Sequence, residues 1–80
     1  MPTNSTAEVW TQPNCPYCTS AKKYLTYLDI SYKEFIIGQN GITKADLHNL
    51  VPGARTVPQI FIDGQYVGGF AELEKKYDNS

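Results

Sequence analysis

No stretch of this chain approaches the roughly 18 consecutive apolar residues of a membrane helix, so a bilayer anchor is not expected. Charge of one sign is missing too. Seven Lys and Arg against eight Asp and Glu leave a formal net charge of −1, which gives no electrostatic case for nucleic acid or an anionic membrane. The first basic residue is Lys22. The opening Met1-Pro2-Thr3-Asn4-Ser5-Thr6 therefore has neither the basic nor the apolar region of a secretory signal, and it reads as a loose tail over residues 1–6. Histidine occurs once, as His48, and with scattered carboxylates it does not complete a tetrahedral zinc set. His48 reads as a surface or packing residue, and no metal site is expected. A soluble, cytoplasmic protein is the expectation.

What is present suffices for one small domain, residues 7–80, with no room for a second core. Of its residues, 41% are hydrophobic and 12% aromatic, enough to fold. The two cysteines are the informative pair. Cys15-Pro16-Tyr17-Cys18 can close a small disulfide ring with little backbone movement, so the bond can be made and broken repeatedly. A structural disulfide more often joins distant residues, where loop closure gains more. In a reducing compartment this spacing points to electron transfer.

Hydrophobic patterning supplies the frame. Ala7 to Thr11 reads as a strand, ended by Gln12-Pro13-Asn14. From Pro16, apolar residues at Tyr17, Ala21, Tyr24, Leu25 and Leu28 mark one face of an amphipathic helix, with the proline in its tolerant first turn. Ser31 to Ile37 reads as a second strand. Thr43-Lys44-Ala45-Asp46 resembles a capping box opening a short helix through Leu47 and Leu50, stopped by Pro52-Gly53. Gln59–Ile62 and Gln65–Val67 around Asp63-Gly64 form a hairpin signal, and Phe70 to Tyr77 a last helix. The order β-α-β-α-β-β-α predicts an α/β fold. A crossover makes the first two strands parallel, the hairpin makes the last two antiparallel, and a mixed four-stranded sheet flanked by helices follows.

Only a thiolate attacks a disulfide efficiently, and an ordinary cysteine with pKa ~8.5 is less than about one-tenth thiolate at neutral pH. Cys15 at a helix N-terminus faces unpaired N–H groups and the positive end of the dipole, which lower its pKa. Cys18, one turn further in, is expected to be more buried. Cys15 is thus assigned as nucleophile and Cys18 as resolving thiol. No cation precedes Cys15, so further activation has to come from cations the fold brings in, with Lys44 and Arg55 as candidates.

With Cys15-Pro16-Tyr17-Cys18, Thr56-Val57-Pro58 and Gly68-Gly69 on that element order, the chain from Ala7 to Tyr77 resembles a dithiol glutaredoxin. The resemblance implies a thioredoxin-like fold and a glutathione-dependent disulfide oxidoreductase. Its substrates would be protein disulfides and protein–glutathione mixed disulfides. Glutathione is then the reducing co-substrate, no cofactor is tightly bound, and the protein is a monomer. Ribonucleotide reductase enters as a protein client that no residue here names. By the family pattern the Val57–Pro58 peptide is cis, leaving the backbone of Val57 beside Cys15 to pair with glutathione as an added strand does. Thr56, Val57 and Pro58, together with Gly69, Phe70, Ala71 and Glu72, then form its binding site, with Tyr17 packing alongside. Glu72 would serve the γ-glutamyl ammonium, and helix N–H groups its carboxylate.

Two positions depart from the family pattern. Ala71 offers backbone contacts only, where many relatives carry a hydroxyl or acidic residue. Gln12 stands three residues before Cys15, where relatives commonly place a lysine; it can donate to the glycyl carboxylate but brings no charge. The loss is roughly 1 kcal/mol, because bonds to charged partners exceed neutral ones. Arg55 is the expected compensation. Two other readings compete, beside a redox-silent adaptor that both cysteines and the TVP site argue against. In one, a flavoprotein reductase serves the chain, which Gly-Pro between the cysteines would have favoured. In the other, the chain is a glutathione-ligated [2Fe–2S] module, which Pro16 disfavours by stiffening the loop.

Overall fold

A computed structural model describes residues 5–78 of the chain. Its elements are β1 (Thr6–Thr11), α1 (Pro16–Tyr27), β2 (Ser31–Ile36), α2 (Lys44–Leu50), β3 (Gln59–Ile62), β4 (Gln65–Gly68) and α3 (Phe70–Asp78). The four strands form one sheet in the order β2-β1-β3-β4. β1 runs parallel to β2 and antiparallel to β3, and β3 runs antiparallel to β4. This is the mixed sheet of a thioredoxin-like fold, as the patterning requires.

Period-two alternation on β1 and β3 divides the core between the two faces of the sheet. Ala7, Val9, Ile60 and Ile62 pack with Ala21 and Leu25 of α1 and Leu73 of α3. On the other face Trp10 packs with Leu47 of α2 and with Ala54, and Phe35, Val57 and Phe61 lean against them. Leu25, Ile60 and Leu73 are completely buried, each contributing about 1.5–3 kcal/mol over an exposed position.

Local chemistry sets the element ends. Asp63 and Gly64 take φ values of 53° and 81°, the positive pair a two-residue hairpin turn demands. Thr43 accepts from Asp46 N–H while the Asp46 carboxylate accepts from Thr43 N–H, completing the capping box of α2. The expected loose tail over 1–6 needs correction at its end. Residues 1–4 lie outside the described residues, but Ser5 and Thr6 are held. The Asp63 carboxylate accepts from Ser5 Oγ at 2.9 Å and from Thr6 N–H at 3.0 Å. Asp63 N–H returns a bond to Thr6 O, so β1 starts at Thr6 rather than Ala7. A turn aspartate distant in sequence does this, and no local pattern reveals it.

Candidate active site

Asn14, at φ 60°, turns the chain sharply after β1 and delivers Cys15 to the N-cap of α1 with extended backbone. Pro16 follows in the first turn, where its missing N–H costs nothing. The Cys15 sulfur accepts from Cys18 N–H at 3.2 Å, the place a capping side chain fills. No acidic residue occupies the first turn of α1, so nothing there competes for the positive end of the dipole. Cys15 and Cys18 are joined as a disulfide with Cα atoms 5.2 Å apart. Cys18 is 2% exposed and Cys15 half-buried, so only the first sulfur is open to a partner. That asymmetry is the one assigned from helical position.

The Val57–Pro58 peptide is cis. Val57 O lies 3.7 Å from Cys15 Sγ. Among the described residues Val57 N–H has no backbone partner. The loop is anchored from behind by Gln59, a residue only 6% exposed. Gln59 Nε2 donates to Thr56 O at 2.9 Å, and Gln59 Oε1 accepts from Tyr66 Oη at 2.6 Å. The sequence reading missed this bracket. A glutamine directly after the TVP motif, inside an otherwise apolar strand, is the signal that carried it.

Two cavities meet at Thr56 and Val57. One, about 470 Å³, is lined by Tyr17, Thr56, Val57, Pro58, Gly69, Phe70, Ala71 and Glu72, with Glu74 added at its edge. All eight of these besides Glu74 were named from sequence. The Tyr17 and Phe70 rings sit 6.3 Å apart across it. Gly69 N–H donates to Glu72 Oε1 at 2.8 Å, so that N–H is already capped by the carboxylate expected to face an ammonium. The other cavity, about 370 Å³, gathers Gln12 with Lys44, His48, Arg55, Thr56 and Val57. Gln12 and Arg55 thus share a wall, and Lys44 joins them. His48, expected as a surface or packing residue, is exposed and lines the same wall because Lys44 and His48 stand four apart on one helix face.

A third, smaller cavity lies beside the disulfide, where Lys22 and Glu34 pair at 2.9 Å. Lys22 is therefore committed to Glu34. Burial pushes the Glu34 carboxyl up, but hydrogen bonds from Thr11 and Lys22 and the lysine charge outweigh it, leaving its pKa below the ordinary value. Among the described residues no cluster of His, Cys, Asp and Glu suited to a metal ion occurs.

A family model described as Glutaredoxin matches residues 7–67. The glutaredoxin of Vibrio cholerae is 42% identical over 72 residues, spanning 82% of this chain and 83% of that one. Among solved structures, glutaredoxin 1 of Francisella tularensis, complexed with cacodylate, superposes with a TM-score of 0.77 at 31% identity, covering 92% of this chain and 93% of that one. A buckwheat glutaredoxin–glutathione complex superposes with a TM-score of 0.80 at 28% identity, covering 94% of this chain and 70% of the other.

Proposed function

The chain belongs to the glutaredoxin family of thiol–disulfide oxidoreductases, and from that premise we propose that glutathione is its reductant. Protein disulfides and protein–glutathione mixed disulfides are then its substrates. The observation that carries the reading is the junction at Val57. Its carbonyl lies 3.7 Å from Cys15 Sγ, where a cavity edged by Lys44, His48 and Arg55 meets one edged by Glu72 and Glu74. A tripeptide laid along that junction as an extra strand brings its sulfur to Cys15, its glycyl carboxylate to Lys44 and Arg55 and its ammonium to the acidic edge. Binding of glutathione by the buckwheat relative supports the same assignment.

In this reading the Cys15 thiolate attacks the substrate disulfide, and one substrate sulfur leaves as a thiolate. A protein-bound intermediate is resolved by Cys18, which restores the Cys15–Cys18 disulfide. When Cys15 carries glutathione instead, a second glutathione attacks directly. Two glutathione molecules reduce the oxidised enzyme, whose family potential of roughly −200 to −230 mV suits the cytosolic poise. We place the protein in the cytoplasm as a monomer on the same argument, with ribonucleotide reductase as one client. The test is turnover of a small glutathione mixed disulfide with glutathione, glutathione reductase and NADPH. Turnover that vanishes in Cys15→Ser supports the reading. No turnover from protein that thioredoxin reductase can reduce would reject it.

A further inference from the structure

The third cavity, about 210 Å³, is lined by both cysteines and, of charged groups, by Lys22 and Glu34 alone among the described residues. Lys22 lies one turn beyond Cys18 on α1, and Glu34 comes across from β2 on the same face of the sheet as Thr11 of β1. Thr11 Oγ1 donates to Glu34 Oε2 at 2.7 Å, and Lys22 Nζ reaches the same oxygen at 2.9 Å. Of the three acidic groups of α3, Glu72 and Glu74 line the separate cavity beyond Tyr17, and Asp78 lies at the far end of the helix.

Burial of Cys18 at 2% exposure disfavours its thiolate, which keeps attack on incoming substrate with Cys15. Resolution needs the opposite. Cys18 must lose its proton to water and attack Cys15 Sγ of the mixed disulfide. The Cys15–Cys18 bond forms as the bond to the substrate sulfur breaks, and that sulfur leaves with the electron pair and is protonated by water. The thiolate fraction of Cys18 therefore limits the dithiol route, and the two nearby charges act on it with opposite sign. We propose that the Lys22–Glu34 pair is a positioning element for the resolving thiol. It sets the ionisation of Cys18 and so the division between the dithiol and glutathione-only routes. The inference rests on the dithiol reading of Cys18.

The test titrates Cys18 by ultraviolet thiolate absorbance in a Cys15→Ser background, with Glu34→Gln or Lys22→Met added. Glu34→Gln keeps an acceptor for Thr11 and leaves the Lys22 charge unmatched, so the midpoint falls by about half a pH unit. Lys22→Met leaves the carboxylate unmatched, so the midpoint rises by a similar amount, the order expected of a unit charge sharing the cavity with the sulfur. In the parent protein, Glu34→Gln then raises protein-disulfide reduction relative to small mixed-disulfide turnover by roughly threefold below the midpoint. Loosened packing would shift both midpoints downward. Shifts of the same sign, or none, overturn the proposal. If Glu34→Gln does not fold, the upward shift in Lys22→Met decides alone, and a flat result there rejects it. Unmoved midpoints beside protein-disulfide reduction that still needs Cys18 sink this inference only. Reduction indifferent to Cys18→Ser sinks the dithiol reading with it.

Discussion

The backbone N–H of Cys18 donates to the sulfur of Cys15 at 3.2 Å. One short peptide thereby does two jobs. It caps α1 with a sulfur that gains from negative charge, and it holds the second cysteine one turn inward, where it is buried.

That division of labour predicts how the two cysteines separate in assay. Cys18→Ser is expected to retain turnover of small glutathione mixed disulfides and to lose most reduction of protein disulfides. The coupled NADPH assay on both substrates checks it; equal loss of both would refute the assigned roles.

Charge is thin around Gln12, and Lys44, His48 and Arg55 are what its cavity offers in place of a lysine. Gln12→Lys is expected to tighten glutathione binding about fivefold, equivalent to roughly 1 kcal/mol, and to lower the Cys15 pKa. Arg55→Gln should weaken binding, more so at low ionic strength where screening is least. Isothermal titration at two salt concentrations measures both. No change in either variant would move the carboxylate site away from this wall.

The Gln59 bracket predicts a split between binding and stability. Tyr66→Phe removes one of its hydrogen bonds and should cost about 0.5–1.5 kcal/mol of stability with little effect on glutathione. Gln59→Leu also releases Thr56 O, so KM for glutathione should rise several-fold while kcat holds. Steady-state kinetics beside denaturant melts tells the two effects apart. An unchanged KM would mean that Thr56 and Val57 keep their place without Gln59.

Glu34 gives a pH dependence of known sign. Its folded pKa lies below the ordinary 4.5, so the unfolded chain binds the proton more readily. The stabilisation it supplies is complete above about pH 4.5 and is lost as pH falls through the folded value. Melting temperature should decline over that acid window, and Glu34→Gln should flatten the decline. A wild-type slope persisting in the variant would assign it to other carboxylates.

Most of the frame was written locally. The Ala21–Leu25 stripe of α1, the reciprocal Thr43–Asp46 cap and the positive-φ pair Asp63–Gly64 each follow from neighbours within a few residues, so the sequence already determined them. Tyr17, expected on that stripe, instead stands 67% exposed at the cavity it shares with Phe70. The deeper burial of Cys18 was legible from local pattern too, since helix position alone places it one turn further in than Cys15. Packing over long separations decided the rest. Asp63 captures Ser5 and Thr6 across 58 and 57 residues, and Val57 O comes to lie 3.7 Å from Cys15 Sγ across 42. His48 joins Gln12 and Arg55 only because α2 folds over that face of the sheet, and Glu34 meets Lys22 only because β2 lies under α1. Hydrogen-bond geometry and charge proximity are properties of distance in space. A one-dimensional pattern records which groups are available, and the tertiary fold alone sets which of them come close enough to act on the two sulfurs.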